Sequence, residues 1–267
     1  MLCRVESVSC IFCGVDDSFP AIHENGFTGR KCRRCGLIYI SPRPSPDKIA
    51  NLYGHDHAHI SATAHWEAEN YKRLHARHTL RILHGYAGSG ELLEIGPGAG
   101  FFLEEARAAG FAPHGIELNP AQVEFIRGRG IPCVAKTVAE AFPGQSFDVI
   151  YHCDVISHLP DPIAEFRAMH RRLRKRGLLL FETGNFGDVR VDRLARVPRF
   201  QYPDHLYLFQ QRQHHQAAGA LRFRAAGRLS VFPERRLVAM EAGCAAAAGR
   251  WRPGRRRAGS RCPPVGA

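Results

Sequence analysis

Apolar positions between residues 66 and 182 follow two alternating periods, one typical of helices and one typical of strands. The helical period predicts helices over 66–86, 100–109, 120–129 and 161–175. Short apolar runs predict strands over 91–95, 112–116, 131–134, 147–151 and 177–182. Strands linked by helices indicate an α/β fold with a doubly wound, mostly parallel sheet. Such sheets bind ligands at the carboxyl ends of their strands.

The first of these helices carries its larger side chains at helical spacing. That set consists of Tyr71, Leu74, His78, Ile82 and Tyr86, with arginines and other histidines on the remaining faces.

Two pairs of cysteines precede this region. The segments 10–14 and 32–36 are both CxxCG motifs, and 18 residues separate Cys13 from Cys32. This spacing fits a tetrahedral Zn²⁺ site, and four thiolates would close its coordination sphere. We therefore predict a structural zinc ion held by Cys10, Cys13, Cys32 and Cys35. The alternative is a set of four reduced structural cysteines.

Five other cysteines lack paired spacing and are interpreted as small apolar residues: Cys3, Cys133, Cys153, Cys244 and Cys262.

Composition and charge add a compartment and locate the basic residues. The chain has 267 residues, 45% of them apolar, which is enough for one sizeable core and a small added module. Its start lacks a secretory pattern, and no apolar run approaches the roughly 20 residues of a membrane span. We expect a soluble, cytoplasmic protein.

The net charge is +12, and most of it lies near the C-terminal end of the sequence. Residues 210–267 carry 12 Arg against 2 Glu, or +10. The remaining residues are therefore near neutral.

A glycine-rich turn follows the first predicted strand of the α/β region. Glu94 ends that strand, and Gly96, Gly98 and Gly100 lead into the next helix. Glycines allow a ligand to approach the backbone closely. A dinucleotide-binding GxGxxG motif would need glycine at position 101, where phenylalanine stands, which disfavours a nicotinamide oxidoreductase. Glu117 ends the second strand, where a carboxylate can bind both ribose hydroxyls. Two acids without a phosphate-binding lysine favour a cationic nucleoside.

At these residues the sequence resembles the class I S-adenosylmethionine-dependent methyltransferases. The resemblance continues through SFDVIYHCDVISHLPDP (146–162), which looks like the fourth strand and the loop facing the substrate. LRKRGLLLFETGN (173–185) looks like the fifth strand, and YPDHLYLF (202–209) like the segment leading to the last core helix. The resemblance implies a Rossmann-like sheet and S-adenosylmethionine as cofactor. It also implies that the cofactor's amino-acid part and ribose contact these residues: Glu94, Gly96, Gly98, Gly100 and Glu117.

The adenine contact does not follow from this resemblance. Family members usually present an acidic or polar side chain after the third strand, whereas this chain has Lys136 and Thr137, with Glu140 further on. We therefore leave the adenine contact unassigned.

The segment CGLIYISPRPSPDKIANLYG (35–54) resembles the lead-in of bacterial methyltransferases with an N-terminal zinc-binding domain, sugar C-methyltransferases among them. The change in pattern along the chain divides it into a zinc ribbon over 1–45, a cofactor-binding domain over 46–209 and an irregular Arg-, Ala- and Gly-rich tail over 210–267, disordered or frameshifted. The substrate does not follow from this resemblance, and we expect a small-molecule methyl acceptor, such as a sugar or a biosynthetic intermediate. The alternative is a protein directed to RNA or DNA by its ribbon and basic tail. The near-neutral body favours the small molecule.

Methyl transfer from a sulfonium requires alignment of donor and acceptor, and removal of a proton from a hydroxyl or acidic carbon. Histidine is the usual base near neutral pH. His158, after the fourth strand, and His205, in PDHLY, are the catalytic candidates. Asp154 and Tyr202 are further candidates. The alternative for each histidine is an ordinary surface role, since the chain has 15 histidines.

After residue 209 the sequence becomes rich in Ala, Arg, Gly and Pro, where the resemblance predicts a helix and two antiparallel strands. Three interpretations stay open. A changed reading frame in a GC-rich gene would leave the sheet without its closing strands and impair solubility and activity. A disordered basic tail could bind nucleic acid or another polyanion. The third interpretation is a divergent end of the domain.

Overall fold

The computed structural model describes residues 5–54, 61–194, 197, 199–210, 212–213, 223–232 and 235–242. Within these ranges the chain forms a small antiparallel ribbon and a larger mixed sheet flanked by helices. None of the helices in this part of the chain combines the length and apolarity that crossing a bilayer requires.

The ribbon occupies the N-terminal region. Its strands are β1 (Val5–Glu6), β2 (Ser18–Glu24), β3 (Phe27–Cys32), β4 (Ile38–Ile40) and β5 (Arg43–Pro44). The β2–β3 hairpin turns at Asn25 and Gly26, which both have positive φ, 51° and 79°. Left-handed conformations at two successive positions suit a tight hairpin, and Asn and Gly adopt them most readily.

Helices and parallel strands alternate in the middle of the chain. Its helices are α1 (Pro46–Gly54), α2 (Ala62–Glu67), α3 (Glu69–Leu83), α4 (Phe101–Ala108), α5 (Pro120–Arg127), α6 (Pro162–Arg172) and α7 (Val191–Leu194). Its strands are β6 (Gly90–Ile95), β7 (Phe111–Ile116), β8 (Cys133–Val134), β9 (Phe147–Cys153), β10 (Leu173–Gly184) and β11 (Tyr207–Leu208). The predicted α/β pattern is confirmed, with element ends that differ by a few residues.

α5 and α6 begin at side-chain caps that are each followed by proline. Asn119 Oδ1 accepts a hydrogen bond from the backbone N–H of Ala121 at 3.0 Å, and Asp161 Oδ1 accepts one from Ala164 at 2.9 Å. Proline follows each cap, at the position where its missing N–H costs nothing. α4 differs, because Gly100 caps it in a left-handed conformation without any side-chain bond.

Five parallel strands form the centre of the large sheet, in the order β10-β9-β6-β7-β8. Two further strands, β12 (Phe223–Phe232) and β13 (Arg235–Ala242), add to the β10 edge in antiparallel orientation. β13 pairs with β10 from Leu178 to Gly184.

These two strands bear on the three interpretations of the segment after residue 209. The interpretation in which the sheet lacks its closing strands is wrong for 223–232 and 235–242, because β13 pairs with β10 and β12 pairs with β13. Their pairing agrees with a continuous domain end. Residues 211, 214–222, 233–234 and 243–267, which make up most of the rest of the predicted tail, lie outside the described residues. The proposed boundaries at residues 45 and 209 remain predictions.

The two faces of the sheet belong to separate apolar clusters. On one face, side chains of α3, α4 and α5 pack against β6, β9 and β10. On the other, α6 and the ribbon share one cluster with the sheet. β11 joins the two parts directly, because it pairs with β4 as the fourth strand of the ribbon sheet. The ribbon is therefore packed onto the α/β core.

Candidate active site

The glycine turn between β6 and α4 requires glycine at every second position. Gly96, Gly98 and Gly100 have φ values of 68°, 57° and 76°, which side chains rarely adopt. A Cβ atom would also lie 2.7 Å from Val155 Cγ2 at Gly96 and 2.5 Å from His65 Nδ1 at Gly98. At Gly100 it would lie 2.6 Å from an isoleucine side chain. Conformation and space therefore both explain these glycines.

Glu117 connects the end of β7 to this turn. One of its carboxylate oxygens accepts hydrogen bonds from the backbone N–H groups of Leu118 and Asn119, at 2.7 and 2.9 Å. The other accepts the N–H of Gly98 at 3.0 Å. Burial raises the pKa of Glu117, and these three backbone donors act in the opposite direction. A carboxylate has about four acceptor positions, so capacity remains for a ligand hydroxyl.

Glu94 lies at the end of β6 with an unsatisfied carboxylate oxygen. Its side chain is buried, and Oε2 has no hydrogen-bond partner among the described residues. Burial raises the pKa of Glu94 well above its usual range; the charge of Lys72 lowers it and that of Glu117 raises it further. A buried acceptor without a donor is costly. The position therefore suits a ligand that brings a positive charge or an N–H group.

His158 and His205 lie side by side, with ring centroids 4.4 Å apart. His158 Nδ1 lies 2.9 Å from the carbonyl oxygen of Asp204 and 2.8 Å from the Tyr53 hydroxyl. Because a carbonyl oxygen can only accept, we assign the proton to Nδ1 and the lone pair to Nε2. His205 Nδ1 lies 2.9 Å from the carbonyl oxygen of Phe200. The structure thus brings both predicted histidines together and anchors each through Nδ1.

Tyr53 links the histidine pair to the cofactor end of the sheet. Burial raises the pKa of its hydroxyl, and the carboxylates of Asp204 and Glu117 raise it further. Tyr53 therefore lies within electrostatic range of the acid at the end of β7. The sequence did not predict that Tyr53 contacts His158, because the two residues are 105 positions apart and the segment 35–54 resembles only a lead-in.

The loop after β9 reaches from the glycine turn to His158. The Val155 side chain packs directly against Gly96, and residues 156–158 form one 3₁₀ turn. Asp154 has a positive φ of 54°, and its backbone N–H donates to the Glu182 carbonyl at 2.8 Å. Strained backbone of this kind often occurs at functional sites.

Tyr202, the other secondary candidate, contacts the ribbon. A Cβ at Gly29 would collide with its hydroxyl, and its carbonyl oxygen accepts a hydrogen bond from Asn25 at 2.7 Å. The structure therefore places Tyr202 at the junction between the ribbon and the core. It does not assign the side chain a role in chemistry.

The four ribbon cysteines converge at one point. Each offers one sulfur, and the four sulfurs lie within 4.8 Å of one another. Cys10 and Cys35 are closest, with 3.4 Å between their sulfurs, and this contact lowers the pKa of Cys35 to about 5 while it raises that of Cys10. Gly14 and Gly36 follow the pairs with φ of 66° and 76°, as the CxxCG motifs require. The predicted ligand set is thus brought together.

Residues directly after 209 cover the second cysteine pair. The carbonyl oxygen of Cys35 accepts hydrogen bonds from Arg212 Nη2 at 2.5 Å and from Gln213 Nε2 at 3.0 Å. Gln213 is fully buried there. The beginning of the predicted tail is therefore part of the ribbon's packing.

A family model described as a methyltransferase domain matches residues 65–235 of this chain. The ubiquinone biosynthesis O-methyltransferase of Pseudomonas aeruginosa strain LESB58 is 32% identical over 150 residues. That match covers 49% of this chain and 64% of the relative's length. The chain therefore matches less than two thirds of this relative.

Two solved structures share the fold at low identity. The 1,6-didemethyltoxoflavin-N1-methyltransferase of Burkholderia thailandensis, solved with S-adenosylhomocysteine, has a TM-score of 0.57 and 16% identity. The match covers 84% of this chain and 99% of that one. An S-adenosylmethionine-dependent methyltransferase from Mesorhizobium loti has a TM-score of 0.50 and 17% identity, over 61% of this chain and 95% of that one.

Proposed function

Because the chain belongs to the methyltransferase domain family, we propose that it is an S-adenosylmethionine-dependent methyltransferase acting on a small molecule. The observation that carries this proposal is the unsatisfied Oε2 of Glu94 beside the glycine turn. A buried carboxylate oxygen without a donor fits a ligand that carries a positive charge. The domain match and the structural neighbour that binds S-adenosylhomocysteine support the same cofactor.

The residues present fit the amino-acid part and the ribose of this cofactor. Glu94 and the glycine turn would hold the amino-acid part, where the free carboxylate oxygen meets an ammonium group. Glu117, with acceptor capacity left, would hold the ribose hydroxyls. The bound cofactor supplies a methyl group on a positively charged sulfur. The two acids and the absence of a nearby phosphate-binding lysine in the turn favour this ligand over a polyphosphate.

Within this proposal, His158 is the base that prepares the acceptor. Its Nδ1–H is held by the Asp204 carbonyl, so Nε2 can take a proton from an acceptor hydroxyl or acidic carbon. The Asp204 carbonyl would then stabilise the imidazolium that forms. His205 packs against the same ring, with the two ring planes tilted by 34°. We assign His205 a positioning role.

The acceptor class is a finer proposal. A histidine base is useful for an acceptor that must lose a proton, which favours a hydroxyl or an acidic carbon. The Pseudomonas relative is named as an O-methyltransferase, which agrees with a hydroxyl acceptor. A sugar or another biosynthetic intermediate with such a group fits. The arginines on which the nucleic-acid alternative depends lie mostly outside the described residues.

Titration with S-adenosylmethionine by calorimetry tests the cofactor assignment. Gly98→Arg places a long side chain where a Cβ already meets His65, in a backbone conformation that only glycine adopts easily. We expect it to abolish measurable binding. Gly88→Arg is the matched control, because nothing lies within 4 Å of a Cβ there. Equal heats from wild type and Gly98→Arg would remove the assignment.

We further propose that the four ribbon cysteines hold one structural Zn²⁺. Their convergence within 4.8 Å supports a closed tetrahedral site. Protein purified without chelators should carry one tightly bound zinc, and chelation should expose the amides of β3 to hydrogen exchange, because structural zinc contributes to folding. Cys13→Ser should lose this zinc and Cys133→Ser should retain it. Metal-free protein with a protected β3 would contradict the proposal.

A further inference from the structure

A second group of metal-ligating side chains lies away from both the ribbon and the histidine pair. It consists of His75 on α3, Cys153 at the end of β9 and Glu182 near the end of β10. Their ligand atoms lie within 4.8 Å of one another. His75 Nε2 lies 2.9 Å from Glu182 Oε2. The proposed methyl transfer uses none of the three.

The sheet register explains why these residues meet. Cys153 and Glu182 are direct partners in the parallel pairing of β9 with β10. Neighbouring strands lie about 4.8 Å apart, so paired side chains on one face come close. His75 descends onto that face from α3, the helix whose inner residues pack in the same apolar cluster as Tyr151 and Leu180. Three separate elements therefore aim one ligand each at a common point.

The donor set has a definite chemical preference. A thiolate sulfur, an imidazole nitrogen and a carboxylate oxygen suit Zn²⁺ and similar ions, whereas Mg²⁺ and Ca²⁺ prefer oxygen ligands alone. Glu182 has 0% exposure, so its charge must be balanced inside the protein. A divalent ion would balance the charges of Glu182 and the Cys153 thiolate together.

The spacing is close to that of a bound site. Bond lengths of about 2.0–2.3 Å place the ligand atoms of a tetrahedral zinc site about 3.3–3.7 Å apart. The pair at 2.9 Å would open slightly, and the widest pair, at most 4.8 Å, would close by about 1 Å. Side-chain rotation can supply movements of this size. Three protein ligands also leave a fourth position for water or another oxygen ligand.

We propose that His75, Cys153 and Glu182 form a second metal site, specific for a divalent transition-metal ion of the Zn²⁺ class. The site lies on the same face of the sheet as Glu94, whose strand partner Tyr151 precedes Cys153 by two residues. That separation is about 7 Å along the strand. The ion would therefore lie at the carboxyl end of the sheet, beside the cofactor turn.

Cobalt titration of the full-length chain carrying only its one ribbon zinc per molecule, here called zinc-loaded, tests this site. Co²⁺ bound to a thiolate gives a near-ultraviolet charge-transfer band, so the wild type should bind one additional cobalt and develop that band. Cys153→Ser should lose the band. Even outer-shell partners of a metal change its affinity by about 10- to 100-fold, so His75→Ala, which removes a ligand, should weaken cobalt binding at least as much. His78→Ala, an exposed histidine of the same helix, should bind as wild type does.

Two results would overturn the proposal. One is a zinc-loaded chain that takes up no further cobalt, which would leave His75 and Glu182 as a structural pair. The other is a band that persists in Cys153→Ser with release of zinc, which would mean exchange at the ribbon. Glu182→Gln guards against misfolding, because it keeps the side-chain shape while removing the charged ligand. If it retains the thermal unfolding midpoint but loses cobalt, the site is supported without reference to S-adenosylmethionine.

Discussion

Replacing His158 by alanine is expected to lower kcat by about 10²- to 10⁴-fold, the usual contribution of a positioned general base. The Asp204 carbonyl fixes the proton on Nδ1, so the truncation removes the only nitrogen that this tautomer offers as an acceptor. Binding of S-adenosylhomocysteine should be unchanged, because His158 is not among the residues proposed to hold it. Steady-state kinetics with an acceptor and calorimetry with S-adenosylhomocysteine measure the two effects separately.

Two further variants provide comparisons for the loss of kcat expected in His158→Ala. Tyr53→Phe removes one hydrogen bond to the His158 ring, and a bond of that kind is worth about 0.5–1.5 kcal/mol, so kcat should fall by no more than about tenfold. His23→Ala, at an exposed position of the ribbon, should behave as wild type. If His158→Ala retains wild-type kcat, the acceptor loses its proton elsewhere and the base assignment is wrong.

A chain cut after Phe209 is expected to lose cooperative unfolding and to aggregate. The cut removes β12 and β13, and with them the partners of seven consecutive β10 residues. β10 carries Leu179, Leu180 and Phe181, all with 0% exposure, so its bare edge would be long and apolar. Exposed edges of this kind pair with other chains. The same cut removes the donors from Arg212 and Gln213 to the ribbon.

A chain ending at Ala242 is the matched control for this truncation. It keeps both antiparallel strands and lacks only 243–267, so it should unfold cooperatively near the temperature of the full chain. Sedimentation and calorimetric unfolding compare the three lengths. A soluble 1–209 chain with an unchanged unfolding midpoint would show that β12 and β13 contribute little to the fold.

The parallel part of the sheet was predictable because its signal is local. Each strand from β6 to β10 is a short apolar run bounded by a turn, and each helix between them has a clear period. The glycine turn was equally readable, since positive φ and close neighbours both exclude side chains at Gly96, Gly98 and Gly100. The strands, the helices between them and the glycine turn each depend on a few adjacent residues, so a short stretch of sequence is enough to predict them.

The C-terminal strands were missed although a weak signal is present. Val238, Met240 and Ala242 are buried at every second position of β13, which is the strand period. Leu237 and Ala239 at the intervening positions obscured the alternation, and antiparallel strands at a sheet edge depend on their partner. Pairing with β10 supplies what the local sequence lacks.

α3 shows the opposite error, where a clear period indicated the wrong face. Tyr71 and Leu74 are 57% and 65% exposed, and the helix buries a different face. That face consists of Ala76, Thr79, Leu80 and Leu83. Side-chain size at helical spacing alone does not identify the inner face.

Two contacts at the sites could not be predicted from local patterns. Tyr53 and His158 are 105 residues apart in the sequence, and His75 and Glu182 are 107 residues apart.

The pairing of β11 with β4 has a consequence for the order in which a nascent chain can mature. The first strands of the ribbon leave the ribosome early, but Tyr207 and Leu208 pair with Tyr39 and Ile38 from almost 170 positions later in synthesis. Contacts of such long sequence separation form slowly, because a large loop must close before they do. During translation the β4 edge of the ribbon therefore stays unpaired until the α/β core and β11 have been synthesised.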